Sequence, residues 1–490
     1  MKYEVVIGLE IHIQLKTKSK MFCRCSAKTW NEDPNSHTCP VCLGLPGALP
    51  VANKKAIEQA ILIGLALNCK PHLASKFDRK NYFYPDLPKG FQISQYDLPF
   101  SSGGWVEIEV DGKKKKIGIT RAHLEEDTGK LIHATINGKK VTLVDFNRSG
   151  IPLIEIVSDP DLSTPAEAKN YAQKIQQIIR YLGVSQADME KGSLRVDANI
   201  SLKRVGERKL GTKVEVKNMN SFRSLERALE YEIKRQGEIL DKKGKIEQET
   251  RGWQEGKQKT VTQRIKEFAH DYRYFPEPDL PPFEFTKGEI DRLRSLSTEL
   301  PDEKQDRFIK SYGLSAYDSK ILVSDKALAD YYEAALSDYS STFKQKGDKK
   351  NMVKKMANWV IGELLRKINE TGTKVEEVKI TPAYLAELLY LIDKGEVTTQ
   401  AAKVVFSESF DSGERPERII VNRGIGAVSE KEDLQRIVEE IISENPKAVS
   451  DFKGGKEESL SYLLGQVMKK TDGRAEPQLV QKILGRLLES

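Results

Sequence analysis

Apolar and polar residues alternate strictly near the start of the chain. In Gly8-Leu9-Glu10-Ile11-His12-Ile13-Gln14-Leu15 a period of two puts Leu9, Ile11, Ile13 and Leu15 on one face of a strand, and Glu10, His12 and Gln14 on the other. The same period returns with polar sets Arg121, His123 and Glu125 in 120–125, Arg195, Asp197, Asn199 and Ser201 in 195–202, and Lys213, Glu215 and Lys217 in 213–217. Such alternation is the ordinary look of a half-solvated antiparallel sheet. Pro152-Leu153-Ile154-Glu155-Ile156-Val157 differs, with one glutamate in an apolar run, and reads as a strand buried on both faces.

Helices carry their own start signals. Thr164-Pro165-Ala166-Glu167 supplies an N-cap, a proline at the first helical position and a capping-box glutamate for a helix running to Gly183. Ser429 with Glu432 does the same for a helix ending near Ser443-Glu444-Asn445-Pro446. Strands with a few helices fill residues 1 to about 290, and helices fill nearly everything after about 295. The expected fold class is therefore α+β, an antiparallel sheet domain followed by all-α domains. Two breaks punctuate it, the proline-rich 276–282 and the polar stretch Ser407 to Pro416 between two helical regions. The last segment reads as four short helices separated by Asn445-Pro446 and Gly454-Gly455.

Length refines this picture: 490 residues at about 150 per domain give roughly three domains. A hydrophobic content of 39% and a charged content of 31% are those of a soluble globular protein, and the ion-pair networks of a heat-stable one would read the same way. The net charge of +7 permits a polyanionic partner without demanding one. The sequence has no apolar run of about 18 residues, so no membrane span is expected. The only apolar run at the N-terminus is broken by Glu4 and Glu10 and reads as a strand, not a signal peptide. Five cysteines, four of them within twenty positions, are too few for a disulfide framework, and the expected compartment is the cytoplasm.

The four clustered cysteines form a CxC, Cys23 and Cys25, and a CxxC, Cys39 and Cys42. Four thiolates joined by a turn-rich loop suit a closed, structural tetrahedral zinc site, in which His37 could replace one ligand. Cys69 lies apart in a helical apolar run and reads as core. A nucleobase deaminase would need H-x-E with P-C-x-x-C; here Glu10 precedes His12 and Pro40 falls inside the cysteine pair, so that reading fails. Glu10, His12, Glu125 and Glu155, with Asp197 and Asn199 as further candidates, offer hard ligands that favour Mg²⁺ and tolerate one imidazole. Magnesium implies a nucleotide, yet neither a P-loop nor a G-x-G-x-x-G follows a strand. Residues 78–96 interleave Arg79, Lys80, Tyr82, Phe83, Tyr84 and Tyr96 with prolines; they could form a rigid loop meeting a nucleotide or RNA 3′ end, or simply pack onto the core. Lys344, Lys346, Lys349, Lys350, Lys354 and Lys355 form a basic cluster at a helix start, either a solvated face or a phosphate contact.

With those residues in place, the chain resembles the B subunits of the glutamyl/aspartyl-tRNA amidotransferases. The resemblance rests on GLEIHIQL at 8–15, CPVCLGLPGALPVAN at 39–53, RKNYFYPDLPKGFQISQYDLP at 79–99, LEEDTGKL at 124–131, DFNRSGIPLIEIVSDPD at 145–161, LRVDANISL at 194–202, EVKNMNSF at 215–222 and DYRYFPEPDLPP at 271–282. It implies a cradle domain over 1–293 with a zinc-binding insertion near 23–42, a helical domain over 294–406 and a tRNA-binding tail over 407–490. It further implies a heterotrimer with an amidase subunit and a small C subunit, acting on misacylated Glu-tRNA(Gln) or Asp-tRNA(Asn). ATP and Mg²⁺ would phosphorylate the side-chain carboxyl, and ammonia from glutamine would then form the amide. Glu10, His12 and Glu125 are the expected catalytic metal ligands, with Glu155 added from its strand. Arg79, Lys80, Arg195, Asp197 and Asn199 are the expected nucleotide contacts. A non-catalytic tRNA-binding scaffold and a zinc hydrolase built on His12 and the cysteines remain as alternatives.

Overall fold

The alternating segments pair into one nine-stranded sheet in a computed structural model that describes residues 2–265, 272–343, 349–425, 431–456, 458–471, 475 and 477–489. Its strands are β1 (Tyr3–Gln14), β2 (Lys70–Pro71), β6 (Ser101–Val110), β7 (Lys113–Glu126), β10 (Pro152–Ser158), β11 (Leu194–Arg204), β12 (Val214–Lys217), β13 (Glu249–Gln254) and β14 (Lys259–Ile265), in the order β14-β13-β12-β11-β1-β10-β7-β6-β2. All neighbours are antiparallel except β12 and β13. The remaining strands make three small sheets: β4 (Asp78–Asn81) between β15 (Phe275–Pro276) and β5 (Phe91–Ser94), β3 (Ala74–Ser75) with β16 (Phe283–Glu284), and the hairpin β8 (Lys130–Ile136) and β9 (Lys139–Asp145). Pro276, which has no N–H to give, sits on an edge strand.

The face predicted to be apolar is the core. Ile7, Leu9, Ile11 and Ile13 of β1 are at most 1% exposed and join the cluster with Tyr171, Ile175 and Ile179 of α2 (Pro165–Tyr181) and Leu225 and Leu229 of α3 (Phe222–Asp241). Helix α1 (Lys54–Ala66) adds Ile57, Ala60, Ile61 and Ile63, and α4 (Lys287–Ser295) adds Ile290 and Leu293. Thr164 caps α2 by accepting the Glu167 N–H at 3.1 Å. The expected reciprocal bond does not form; the Glu167 carboxylate accepts instead from the Ser163 N–H and Lys115 at 2.8 Å each, because a cation across the sheet competes for it. β10 runs in the middle of the sheet with only Val157 half-buried, as an apolar run with a single glutamate requires.

Residues Met1–Leu300 form one compact unit and Pro301–Ser490 a second. The second is helical: α5 (Pro301–Tyr312), α6 (Ala316–Leu322), α7 (Lys326–Phe343), α8 (Lys349–Trp359) continuing through a π turn into α9 (Leu365–Thr371), α10 (Pro382–Asp393), α11 (Thr399–Ser412) and α12 (Pro416–Arg423). The polar stretch expected at Ser407 to Pro416 is mostly helix. Ser409 and Phe410 turn inward on α11 while Asp411 and Ser412 face water, so the end of an amphipathic helix has the composition of a linker. The chain turns only at Gly413, at φ 80°, and Arg415 then pairs with Glu387 of α10 at 2.8 Å. The expected cap at Ser429 lies outside the described residues, as do Lys344 and Lys346. Helices α13 (Lys431–Glu444), α14 (Pro446–Lys453), α15 (Glu458–Lys470) and α16 (Pro477–Glu489) bury their own core of Leu434, Val438, Leu463, Val467, Val480 and Leu484. Among the described residues no helix is long and apolar enough to cross a membrane.

Two packing features give measurable expectations. Phe77, 1% exposed, meets Phe22, Phe100 and Phe283 edge-on at 5.2, 6.0 and 5.7 Å and anchors the start of β4. Phe77→Ala should destabilise the first unit by about 3–5 kcal/mol in urea unfolding, and Phe77→Leu by clearly less. In the second unit burial opposes ionisation of Glu333, but Arg307 at 2.6 Å and Lys304 at 2.9 Å outweigh it and hold the carboxyl at about 2 against the usual 4.5. A depressed carboxylate stabilises fully above the unfolded value and loses that contribution as pH falls. Helical signal followed from pH 5 to pH 2 should therefore show an acid-labile component between about 4.5 and 2 that Glu333→Gln abolishes.

Candidate functional site

The polar face of the sheet is assembled by register. β1 lies between β10 and β11, so His12 stands between Glu155 and Arg195, Glu10 beside Asp197, and Gly8 beside Asn199. β7 then brings His123 opposite Glu155, and Glu125 two positions along. His12 Nε2 lies 3.5 Å from Glu155 Oε2 and 3.8 Å from Glu125 Oε1, and His123 Nε2 lies 3.3 Å from Glu155 Oε2. His12, Glu125 and Glu155 each offer a ligand atom within 4.8 Å of the others. Burial disfavours charge on His12, but Glu155, then Glu125 and Asp197, outweigh it and raise the imidazole to about 9. Glu155, also buried, is held well below its usual value by His123 and His12. A divalent cation would meet the same attraction, and an imidazole with two carboxylates suits one.

Glu10 belongs to a second group. It lies within 4.8 Å of Asp197 and Glu215 by ligand atoms, and Asn199 Nδ2 donates to its Oε1 at 2.9 Å. Lys217 bridges Asp197 and Glu215 at 2.5 and 3.0 Å and is raised by them against the cost of burial. The expected set Glu10, His12, Glu125 and Glu155 is thus brought together as two adjacent groups, three residues in one and Glu10 in the other. Arg195 faces this surface but is held by Asp127 at 2.9 Å, which also accepts from Gln14 at 2.7 Å.

Strand β4 separates two residues expected to act together. Lys80 faces the acidic centre, where Glu125 and Glu155 raise its ammonium against burial, and its Nζ stands 5.0 Å from the Tyr272 ring centroid. No carboxylate of the described residues comes within ion-pair distance of it. Arg79 points the other way, to Glu277 at 2.8 Å, Asp279 at 3.3 Å and the face of Phe91 at 4.2 Å. There it lines a cavity of about 180 Å³ with Lys89, Glu126, Cys23 and Cys42. The expected rigid aromatic loop exposes Phe83 (82%) and Tyr84 (60%).

The four clustered cysteines converge with all sulfurs within 4.8 Å, Cys39 and Cys42 at 3.8 Å. Tetrahedral metal–sulfur bonds of ~2.3 Å place sulfurs ~3.8 Å apart, so the group could hold a metal. The Cys42 thiol is held below its ordinary value by a hydrogen bond from Cys23, by the Cys39 N–H and by Lys20, against burial. Lys20 is fully buried and reaches Cys42 Sγ at 3.7 Å and the His37 carbonyl at 2.8 Å. His37 itself stands outside the group, near Glu32, and Cys69 is a buried thiol pushed up to about 12.

The sequence puts His123, Glu215 and Lys217 on polar strand faces without pointing to a role for them. Period two is their only signal, and it says nothing of which strands become neighbours. Asp127 and Gln14 have no signal as a pair, being 113 positions apart. On α8, Lys354 is exposed and Lys355 is tied to Asp393.

Known proteins sharing this sequence pattern leave little ambiguity. The family model for the GatB/GatE catalytic domain matches residues 5–291, and that for the GatB domain matches 341–488. The chain is 53% identical over 484 residues to the B subunit of the aspartyl/glutamyl-tRNA(Asn/Gln) amidotransferase of Thermoanaerobacter pseudethanolicus, covering 99% of each. It is 52% identical to the same protein of Carboxydothermus hydrogenoformans, covering 99% of this chain and 98% of that one, and 50% to that of Dehalococcoides mccartyi, covering 100% and 99%. With coverage end to end at half identity, the chain belongs to the family of aspartyl/glutamyl-tRNA(Asn/Gln) amidotransferase B subunits.

Proposed function

We propose that the chain is the B subunit of an ATP-dependent amidotransferase that converts Glu-tRNA(Gln) or Asp-tRNA(Asn) to the amide in the cytoplasm, with an amidase subunit and a small subunit as partners. The supporting observation is the convergence of His12, Glu125 and Glu155 beside Lys80, in a family whose named members are tRNA-dependent amidotransferase subunits. A carboxylate is a poor acyl donor. Its oxygen would attack the γ-phosphorus of ATP, releasing ADP, and ammonia would then add to the acyl carbon and expel inorganic phosphate, giving the amide. Magnesium, for which His12, Glu125 and Glu155 and the neighbouring Glu10, Asp197 and Glu215 are the candidate ligands, would supply charge neutralisation for the triphosphate. Lys80, buried and without an ion-pair partner among the described residues, would meet a phosphate oxygen, and Arg195 on β11 and Lys217 on β12 are further cations of the sheet's polar face. We take the division into a cradle over 1–293, a helical domain over 294–406 and a tail over 407–490 as the working organisation, with the α13–α16 core inside the tail that would hold tRNA by its backbone.

The test uses the full chain assembled with its partner subunits. Glu125→Gln and His12→Ala should each lower kcat/KM for ATP-dependent amidation by about 10²–10³ while leaving tRNA affinity in a filter assay within twofold. Retention of amidation by both variants would mean that the chain only holds tRNA.

For the cysteines we propose a structural zinc ion. Its four sulfur ligands leave no position for water, so it would not carry the chemistry. Cys25→Ser and Cys39→Ser should lose about one equivalent of zinc by elemental analysis and lower the melting temperature, yet keep ammonia-dependent amidation at moderate temperature. Loss of amidation at unchanged stability would instead favour the zinc hydrolase reading.

A further inference from the structure

Tyr96 and Tyr274 stack, with ring centroids 4.4 Å apart and planes 12° from parallel. Tyr274 is the inner ring. Its phenol feels the charges of Lys80, Glu125 and Glu155, and Tyr272 packs edge-on against it at 6.1 Å. Tyr96 follows β5 two residues after Ser94, whose hydroxyl reaches Glu125 at 3.5 Å, and its own N–H donates to Asp78 Oδ2 at 3.0 Å. The stack therefore forms part of the wall of the acidic centre.

Its outer ring remains 58% exposed, although burial is the usual reason for an aromatic residue to join a wall. Tyr274 supports it from one side and Asp78 fixes its backbone. A ring held still with a face toward water, next to a cation and a metal-ligand set, suits a planar base, because stacking needs a π face and no particular hydrogen-bond pattern. Ordinary packing leaves that free face unexplained.

We propose that the Tyr96–Tyr274 stack is the platform for an adenine ring whose phosphates lead toward Lys80 and the acidic centre. The inference rests on the ATP-dependent reading above and adds the surface that takes the base. Adenine could arrive on ATP or as the 3′-terminal adenosine of the tRNA, and the two arms of one experiment separate them.

In the assembled complex, initial rates of Tyr96→Ala, Tyr96→Phe and Tyr96→Trp would be followed against ATP and, separately, against aminoacyl-tRNA. The Ala variant should raise KM for one of the two about tenfold, equivalent to about 1.4 kcal/mol, with kcat within twofold; Phe and Trp should stay near wild type. A rise confined to ATP assigns the platform to the nucleotide, and one confined to tRNA assigns it to the terminal adenosine. If Tyr96→Ala leaves both KM values unchanged while Glu125→Gln is inactive, the platform is wrong and the ATP-dependent reading stands. If Glu125→Gln keeps full ATP-dependent amidation, the acidic centre is not where ATP acts, and the platform falls with it.

Discussion

The pleat of β1 is the constraint from which the rest follows. Because successive side chains point to opposite faces, the packing that buries Ile7, Leu9, Ile11 and Ile13 against α2 and α3 also fixes Glu10 and His12 on the other side. A slip of one residue would put a carboxylate and an imidazole into the core, so the hydrophobic term locks the register to which the site is tied. β1 is also central, with a strand on each side, and both neighbours are antiparallel and in register with it. Residues that are far apart in sequence, such as Glu10 and Asp197 or His12 and Glu155, thereby become direct neighbours.

Gathering acids on a partly buried surface is costly unless cations are interleaved, and the strands supply them in alternation. Glu155 sits between two imidazoles, Asp197 and Glu215 share Lys217, and Asp127 is paired with Arg195. Among the described residues Glu125 has no cation at contact distance beyond His12 at 3.8 Å, with Lys80 acting on it from further off. Against the cost of burial, these neighbours hold the carboxyls of Glu155 and Asp127 below their ordinary values.

Much of this is legible in the sequence, and the limits are physical. Period two announces the strands and their polar faces, and Glu155 stands out as a lone carboxylate in an apolar run. The partition into two acidic groups is not legible, because it depends on which strands become neighbours and on their register. Arg79 and Lys80 group together in sequence because they are adjacent in a motif; β4 sends them to opposite faces, an alternation that shows only when the segment is read as a strand. The stretch 407–412 misleads for the opposite reason, since the inward positions of a short amphipathic helix are few and one of them here is a serine.

The cysteine cluster stands off the polar face, yet it is connected to it. The loop that carries the cysteines is pinned to 144–147: Asn35 bonds Asp145, Val144 and Phe146, Asn147 bonds the Asp33 carbonyl and the His37 N–H, and Lys20 reaches the Phe146 carbonyl. Met21 donates to the Gly150 carbonyl at 2.7 Å, and Gly150 in turn donates to the Asp127 carbonyl at 2.9 Å. These bonds hold the lead-in to β10, the strand that carries Glu155, and the residue after β7, the strand that carries Glu125. A zinc ion held by the four sulfurs, as proposed above, would brace this loop, and the loop's main-chain bonds lead to the strands of both carboxylates. With the proposed zinc in place, the cluster would fix where the strands that carry Glu155 and Glu125 begin and end, a structural role that suits a metal with no open position.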